Sequence, residues 1–371
     1  MSQEWIGVIN TTRPRFIKGF VDETIRSRLL LSMLRAKGRI EMNCSGETCK
    51  WQVKYSKPPV EAYGDGGVLD FANHDAYRRL EHDWRGYVAT DALSMKQNAM
   101  NAGDEQLINL FQSKTNNLKE SVQENFSAEL FKDGEATGRE NAVHGLETFL
   151  GAGTVTAADR IAAPSDTYGL SQLSTVAGNY GGGWSNGLTT SPNASLATDW
   201  PDGQGDPEYD FMMPKLINWS ANSWGTGSTL WEDNCWRVIS QAITWLTTTG
   251  GPDGMPDICL LGSNLFQGYK NHEEAIRRIS IPHKAASDLG FAGNVLNQDG
   301  CAISADFDCP ANTGYLLNVS QITLRSLMPE LFWMKGPDED ARTAWSFLWG
   351  VGFWGNVCYR PKHVGKLFKY A

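Results

Sequence analysis

CSGETCKWQVKY, residues 44–55, opens with two cysteines and runs into an alternation of apolar and polar side chains. Cys44 and Cys49 fit half of a zinc knuckle, whereas Trp51, Val53 and Tyr55, alternating with Gln52 and Lys54, carry the period-two signature of a half-exposed strand. A complete zinc site needs two further ligands. The chain offers no second cysteine pair and no HxxxH, and His74 and His82 are merely the nearest histidines. The strand reading prevails, and both cysteines are assigned a structural role.

Working outward, KPPVEAYGDGGVLDF (57–71) breaks regular structure with Pro58, Pro59, Gly64, Gly66 and Gly67. LEHDWRGYVAT (80–90) then resumes a strand-like run through Leu80, Trp84, Tyr87 and Val88. The two runs can pair. Their connection, about 25 residues, far exceeds an ordinary hairpin loop, which marks a functional arm rather than a turn.

Upstream, residues 21–38 put Ile25, Leu29, Leu30, Met33 and Leu34 on one face and stop at Gly38, an amphipathic helix placed ahead of the globular core whose apolar stripe is to be covered either by the chain's own domain or by a neighbouring subunit. Downstream, 104–132 lacks proline and glycine and repeats Leu107, Phe111, Leu118, Val122, Phe126 and Leu130 at helical spacing. Asp104 caps its start and Gly134 follows its end; at 1.5 Å per residue it spans about 43 Å. Residues 145–230 are rich in Gly, Ser, Thr and Asn and are expected to be an ordered loop tract packed against something, such as another copy of the chain. A helix over 229–248 follows, with Cys235, Ile239, Ala242, Ile243 and Leu246 on one face. DICLLG reads as a buried strand, as do 315–324 and 344–359; in the last, Trp345, Phe347, Trp349, Val351, Phe353 and Val357 all fall on odd positions. The class that emerges is α+β, a long helix on antiparallel strands.

Totals set the outer bounds. With 371 residues, 41% hydrophobic and 20% charged, the chain can bury a sizeable core in two or three subdomains. No stretch approaches the roughly 18 apolar residues of a membrane span, and MSQEWIGVINTTRPRFIKGF lacks a signal-peptide block, so a soluble protein made in a cytosol is expected. Seven cysteines, an odd count, suit reduced buried thiols, and disulfides are not expected. The net charge of −9 argues against a dedicated nucleic-acid binder. Both ends are nonetheless basic: Arg13, Arg15, Lys18, Arg26, Arg28, Arg35, Lys37 and Arg39 stand near the start, with Arg360, Lys362, Lys366 and Lys369 at the end. Solvated flanks or salt-bridged subunit contacts are the plainer reading; contact with phosphate through counterion release is the other.

Catalytic constellations do not assemble. LGSNLF around Ser263 lacks the spacing and second glycine of a nucleophile elbow, and GNYGGGWSNG is followed by no GK[ST]. Asp206, Glu208 and Asp210 sit in a turn-rich segment where solvated acids are ordinary, and His74, His82, His144, His272, His283 and His363 are mutually isolated in sequence. Fourteen tryptophans, with Trp184, Trp200, Trp219, Trp224, Trp231, Trp236 and Trp245 in one tract, admit three readings: core packing, sugar stacking and protein contact.

With those pieces in order, the chain resembles the tailed-bacteriophage major capsid proteins of the Hong Kong 97 fold. The text that carries the likeness is NCSGETCKWQVKY, AYGDGG and WRGYVATD, then the long helix with HGLETFLG, then SDTYGLSQL, GNYGGGW and GDPEYDF, and finally LNVSQITLRSL and FWGNVCYRPKH, spanning about residues 40–371. The resemblance implies an N-terminal arm (1–45), an extended E-loop hairpin (46–95), a peripheral domain with spine helix (96–150), an ordered Gly/Ser/Trp-rich loop region (151–228), an axial domain (229–312) and C-terminal strands completing the peripheral domain (313–371). It implies assembly rather than catalysis, with no cofactor and no metal. Subunit contacts would fall on Trp51, Lys54, Tyr55, Tyr63, Asp65, Phe71, Trp84 and Arg85 of the arm, and Arg13, Arg15, Lys18, Arg26, Arg28 and Arg35 would face packaged double-stranded DNA without sequence preference. Partners would be other copies in hexamers and pentamers, a portal protein, and a scaffold or decoration protein, within a virion capsid made in bacterial cytoplasm. Some members cross-link Lys to Asn; Lys50, Lys54 and Lys57 lie near the hairpin, but nothing singles one out. Some lose a long helical scaffolding segment to a protease; with only about 45 residues ahead of the hairpin, no such cleavage is expected. A carbohydrate-binding or tail-associated virion protein is the alternative, and a hydrolase built on the acidic trio or a Cys44–Cys49 zinc ion comes behind it.

Overall fold

In the computed structural model, the described residues are 29–54, 58, 60–64, 71, 73, 77–94, 104–150 without 135 and 137, 153–154, 160–164, 214–276, 295–340 and 346–370. In chain order the elements are helix α1 (Leu29–Ala36), strands β1 (Ile40–Glu41), β2 (Thr48–Lys54), β3 (Tyr77–Asp83) and β4 (Arg85–Ser94), then helices α2 (Asp104–Glu129) and α3 (Glu147–Leu150). Short strands β5 (Gly153–Thr154), β6 (Ile161–Pro164) and β7 (Lys215–Asn218) lead to helix α4 (Trp231–Gly250), β8 (Ile258–Leu261) and helix α5 (Ser263–Ile276). Strands β9 (Val295–Gln298), β10 (Cys301–Ala305), β11 (Gly314–Leu317), β12 (Ile322–Ser326), β13 (Trp333–Asp340), β14 (Ser346–Tyr359) and β15 (Val364–Phe368) complete the chain.

Two sheets carry the body. In the first, β14 is the central strand: β4 pairs along one edge from Ser346↔Ser94 to Gly355↔Arg85, while β12 and β13 share the other edge end to end, and β1 adds in parallel to β12. The second has the order β5-β6-β7-β15-β11-β8-β10-β9 and is mixed, with parallel pairs β15–β7 and β10–β8. Its central strands ICLL and GYLL are buried at every position. That follows from two covered faces: Ile258, Leu260, Tyr315 and Leu317 point into a core shared with α2 and the first sheet, while Cys259, Leu261 and Leu316 point into a second core under α4 and α5.

The apolar repeat of α2 does what its spacing predicts: Leu118, Val122 and Phe126 are buried, as is Leu130 just past the helix, and Phe126 meets Phe353 at 4.7 Å and Phe332 edge-on at 5.3 Å. The helix ends at Glu129, short of the expected 132, because the chain must turn sharply there. A Cβ on Gly145 would lie 2.4 Å from Lys132 O and 2.5 Å from Glu129 O, so the returning segment of that turn accepts only glycine there. The other end of the turn is tied by Glu147, which accepts from Lys366 Nζ at 2.7 Å and from the Tyr315 hydroxyl.

Three expectations change. The helix predicted over 21–38 is described from Leu29, and its described part is not ahead of the core: Leu29, Leu30, Leu31, Met33 and Leu34 are buried within the chain's own first core, so of the two covers expected for this stripe it is the chain's own domain that supplies it. Gly38, at φ +64°, ends it as expected, with its N–H donating to Arg35 O. LEHDWRGYVAT is not one strand but two, divided at Trp84, with β3 in a two-stranded ribbon and β4 in the first sheet. Residues 315–324 likewise split at Asn318, whose side chain accepts from Ser320 N–H and turns the chain from β11 in one sheet to β12 in the other. Within 313–371, β11 and β15 pair with each other and β11 with β8 in the second sheet, while β12, β13 and β14 lie in the first. Most of the 151–228 tract, from 165 to 213, lies outside the described residues; its described flanks form β5, β6 and β7 of the second sheet.

Candidate assembly surface

The alternating stretch that follows Cys44 forms β2, which pairs antiparallel with β3 from Thr48↔Asp83 to Lys54↔Tyr77. These two strands form a ribbon on their own, joined by residues 55–76. Out and back at ~3.3 Å per residue, such a connection can reach about 35 Å from its last rung. Along it, Val60 is 97% exposed, Tyr63 70% and Phe71 90%, and Tyr77 at the last rung is exposed too. A two-stranded ribbon has no core of its own, so what holds it is its base.

That base is built by residues far away in sequence. Asn356 of β14, fully buried, donates through Nδ2 to Asp83 O (2.8 Å) and to His144 Nδ1 (2.6 Å), and its Oδ1 accepts from His144 N–H (3.1 Å) and Val357 N–H (2.8 Å). Holding Nδ1 as an acceptor puts the His144 ring proton on Nε2. The His144 ring stacks at 4.3 Å on His82 of β3, which in turn meets Trp51 of β2 at 4.8 Å. Burial, with His144 and Arg85 beside it, pushes His82 well below the usual imidazole range, so it is neutral at pH 7.

Arg325 of β12 clamps the other leg. Its Nε donates to Glu41 Oε2 (2.7 Å) and its Nη1 to Lys50 O (2.6 Å), while the Trp84 indole donates to Gly46 O (2.9 Å). Beneath them Cys49 Sγ lies 3.0 Å from Cys358 Sγ of β14, both buried. Cys44, in contrast, hydrogen-bonds to Glu41 O at 3.7 Å, and burial together with Glu41 raises its thiol. The two cysteines of the opening stretch thus face different partners. Among the described residues no group of three or more His, Cys, Asp or Glu could hold a metal ion. His74 lies outside them.

One further tie joins β4 to the end of α2. The Tyr87 hydroxyl donates to Glu129 Oε2 (2.8 Å) and accepts from Val143 N–H (2.8 Å), and Glu129 also pairs with Lys132 (3.1 Å) and Arg139. Burial alone would raise the Glu129 carboxyl, but these donors outweigh it and hold it below the usual range.

Of the arm residues named from sequence, Trp51, Trp84 and Arg85 are half-buried at the base; Lys54 is exposed on the ribbon, and Tyr63 and Phe71 on the connection. Tyr55 and Asp65 fall outside the described residues, as do Arg13, Arg15, Lys18, Arg26 and Arg28; Arg35 is exposed in the last turn of α1. Asn356, Arg325, His144 and Cys358 were not singled out as a site by sequence, because nothing local marks them. A second apolar surface lies on the outward side of β4 and β14, where Val88, Leu348 and Trp354 are exposed beside Gly86 and Gly352.

The remaining candidates have less to offer chemistry. Ser263 begins α5. Asp206, Glu208 and Asp210 lie outside the described residues, as do Trp184 and Trp200. Trp219, Trp224, Trp231 and Trp245 are buried in the second core, where Trp231 donates to Leu265 O (2.7 Å) and Trp224 to Asn218 O (3.0 Å). Only Trp236 of the tract's described tryptophans is open, at 40% exposure, so they form no stacking platform for sugar. No described helix is long and apolar enough to cross a membrane.

No family model matches the chain, and no curated protein matches it. Solved structures do. A chain from the capsid of a native GTA particle superimposes with a TM-score of 0.56 at 11% identity, covering 91% of this chain and 90% of that one. A chain from the cyanophage A-1(L) capsid gives a TM-score of 0.56 at 11% identity, with 91% and 92% covered. The empty GTA particle's capsid gives 0.54 at 10% identity, with 91% and 96% covered. The α+β fold expected from the resemblance is therefore that of phage-type capsid chains, and it spans nearly the whole molecule.

Proposed function

We propose that this chain is the structural subunit of a phage-type capsid, which assembles with copies of itself into hexamers and pentamers that close an icosahedral head around double-stranded DNA. The observation that carries the reading is a long-connected ribbon bearing exposed Val60, Tyr63 and Phe71, rooted in a body whose fold matches capsid chains over 91% of its length. Isolated apolar side chains on an arm of that length gain little in water and much against a neighbour. In this reading residues 46–95 are the E-loop, α2 is the spine helix of the peripheral domain, and α4, α5 and β8 belong to the axial domain. The arm's contacts and the outward face of β4 and β14 each contribute modestly, and the shell is stable because every subunit makes many such contacts at once.

The basic residues Arg13, Arg15, Lys18, Arg26, Arg28 and Arg35 line the inner surface and meet DNA without sequence preference, with the salt sensitivity that counterion release gives. Portal, scaffold and decoration proteins complete the virion, and the subunit performs no catalysis. Expression of the chain alone, followed by size exclusion with light scattering and negative-stain electron microscopy, tests the assignment. Shells, tubes or rings of five or six subunits are expected, with the chain supplied with a co-expressed scaffold where it purifies as a monomer. Deleting residues within 58–73 is expected to leave a soluble subunit that makes no shells; normal shells from that deletion refute the arm assignment.

A further inference from the structure

Cys49 and Cys358 are 309 positions apart in sequence and sit on strands of different sheets, β2 in the two-stranded ribbon with β3 and β14 in the first sheet. Their sulfurs nevertheless lie 3.0 Å apart in a buried setting. Moving from there to the ~2.05 Å of a covalent bond asks for a small side-chain adjustment. We propose that this pair is an oxidation site: hydrogen peroxide converts the two thiols into a disulfide that bolts the first hairpin strand to the central strand of the first sheet. The proposal stands on the thiol geometry and is independent of the capsid reading.

The surroundings assign the two sulfurs different parts. The Cys358 hydrogen bond holds the Cys49 thiol below its usual range, against the effect of burial, and the Arg325 guanidinium 3.9 Å away adds to this. Cys358, which gives that bond, is pushed up in turn, with burial adding to the rise. Cys49 is thus the thiolate that attacks. It takes one peroxide oxygen as the O–O bond breaks, becoming a sulfenic acid, and the departing hydroxide leaves as water with the proton Cys49 gave up. The Cys358 sulfur then attacks the Cys49 sulfur, the S–O bond breaks, and hydroxide leaves as a second water with the Cys358 proton. Two thiols lose two electrons and two protons, and one peroxide is reduced to two waters.

Burial selects the reagent. At 1% exposure Cys49 is reached only when the ribbon opens locally, which a two-stranded ribbon does readily and which a small oxidant exploits best. The remaining buried thiols are poor competitors: burial pushes Cys235 and Cys301 up to about 12 and Cys259 and Cys309 well above the usual range, keeping them protonated.

The test uses the full chain, purified reduced, exposed to graded hydrogen peroxide, alkylated and mapped without reduction. The expected product is a linked peptide containing Cys49 and Cys358, absent when peroxide is added to denatured chain followed by immediate alkylation, with Cys235, Cys259 and Cys301 still alkylated. In the oxidised protein the amides of Thr48–Lys54 exchange at least tenfold more slowly, and dithiothreitol restores the original rate. The Cys358→Ser variant stops at the sulfenic acid, captured on Cys49 by dimedone, while Cys49→Ser leaves Cys358 unmodified. Alkylation of both thiols at undiminished yield after peroxide overturns the proposal in the wild-type protein, whatever the variants do. Dimedone on Cys358 in the Cys49→Ser chain, with none on Cys49 in the Cys358→Ser chain, overturns the assigned order of attack.

Discussion

Replacing Asn356 by alanine removes one buried amide and four hydrogen bonds, and their consequences differ. The bond to Val357 N–H is local and costs little. Asp83, at the foot of the ribbon, is exposed, so water can replace the amide at its carbonyl, and the loss there is about 1 kcal/mol. His144 N–H is fully buried, so losing its Asn356 acceptor costs about 1–3 kcal/mol. The Asp83 and His144 N–H bonds together come to about 3 kcal/mol, and the third long-range bond, to the buried His144 Nδ1, is lost as well, so this is a lower bound; because these bonds hold the ribbon's base, the loss falls on the hairpin before it falls on the sheet. At about 1.4 kcal/mol per decade, local opening becomes roughly a hundredfold more frequent. Hydrogen exchange followed by mass spectrometry reads this directly: amides in 48–54 and 77–83 should exchange about a hundredfold faster in Asn356→Ala, while those of β8 and β11, 258–261 and 314–317, change far less. If the hairpin amides stay within twofold of wild type, Asn356 is not the ribbon's anchor and the reasoning fails.

Other outcomes follow from the same structure. His82 is held neutral when folded, so as pH falls below the ordinary imidazole value of about 6.5 the unfolded chain takes up a proton that the folded chain refuses; stability declines by at most about 1.4 kcal/mol per pH unit from there towards the depressed folded value, and His82→Gln should flatten that slope in urea titrations between pH 7.5 and 5.5. His363, pushed down to about 4 by burial and Arg360, steepens the fall over the same interval. Phe126→Ala should cost about 3–5 kcal/mol in chemical denaturation, since the ring is 2% exposed between Phe332 and Phe353. Gly352→Val should cost about 1–3 kcal/mol because a Cβ there would sit 2.6 Å from the Trp333 indole; a neutral result would mean the ring swings aside freely.

What could be read from sequence divides by range. Helices α2 and α4 were legible because their apolar residues recur every three to four positions, and β2 because its side chains alternate. Strand β13, WMKGPDED, was missed since Pro337 and three acids argue against a strand; the pairing accommodates them through a register shift between Lys335 and Asp338. Helix α5 was missed partly because of Gly268 in its interior. That glycine has a tertiary reason, since a Cβ there would lie 2.8 Å from the Trp231 ring, so its absence lets α4 and α5 pack closely. The split at Trp84 is also tertiary: no break in hydropathy marks the point where β3 leaves one sheet and β4 joins another. For the candidate surface, the hairpin itself was visible in WQVKY and its long connection. Its base was not, because Arg325, Asn356 and Cys358 arrive from about 270 to 310 residues away, and only the fold brings them to Lys50, Asp83 and Cys49.

The ribbon's two legs are moored unequally. Beyond Asp83 the chain runs at once into β4 and its ten rungs against β14, whereas before Thr48 it is held by β1, two residues long, against β12. A tug on the arm is therefore shared unevenly, and the leading leg is the one that would peel. Arg325 grips that weaker leg at two points, Glu41 and the carbonyl of Lys50, and so acts as a cleat: it passes load from the short mooring into β12, and through β12 into the same central strand that holds the other leg. With the cleat in place both legs end on β14, and the arm can bear tension as one rope rather than two.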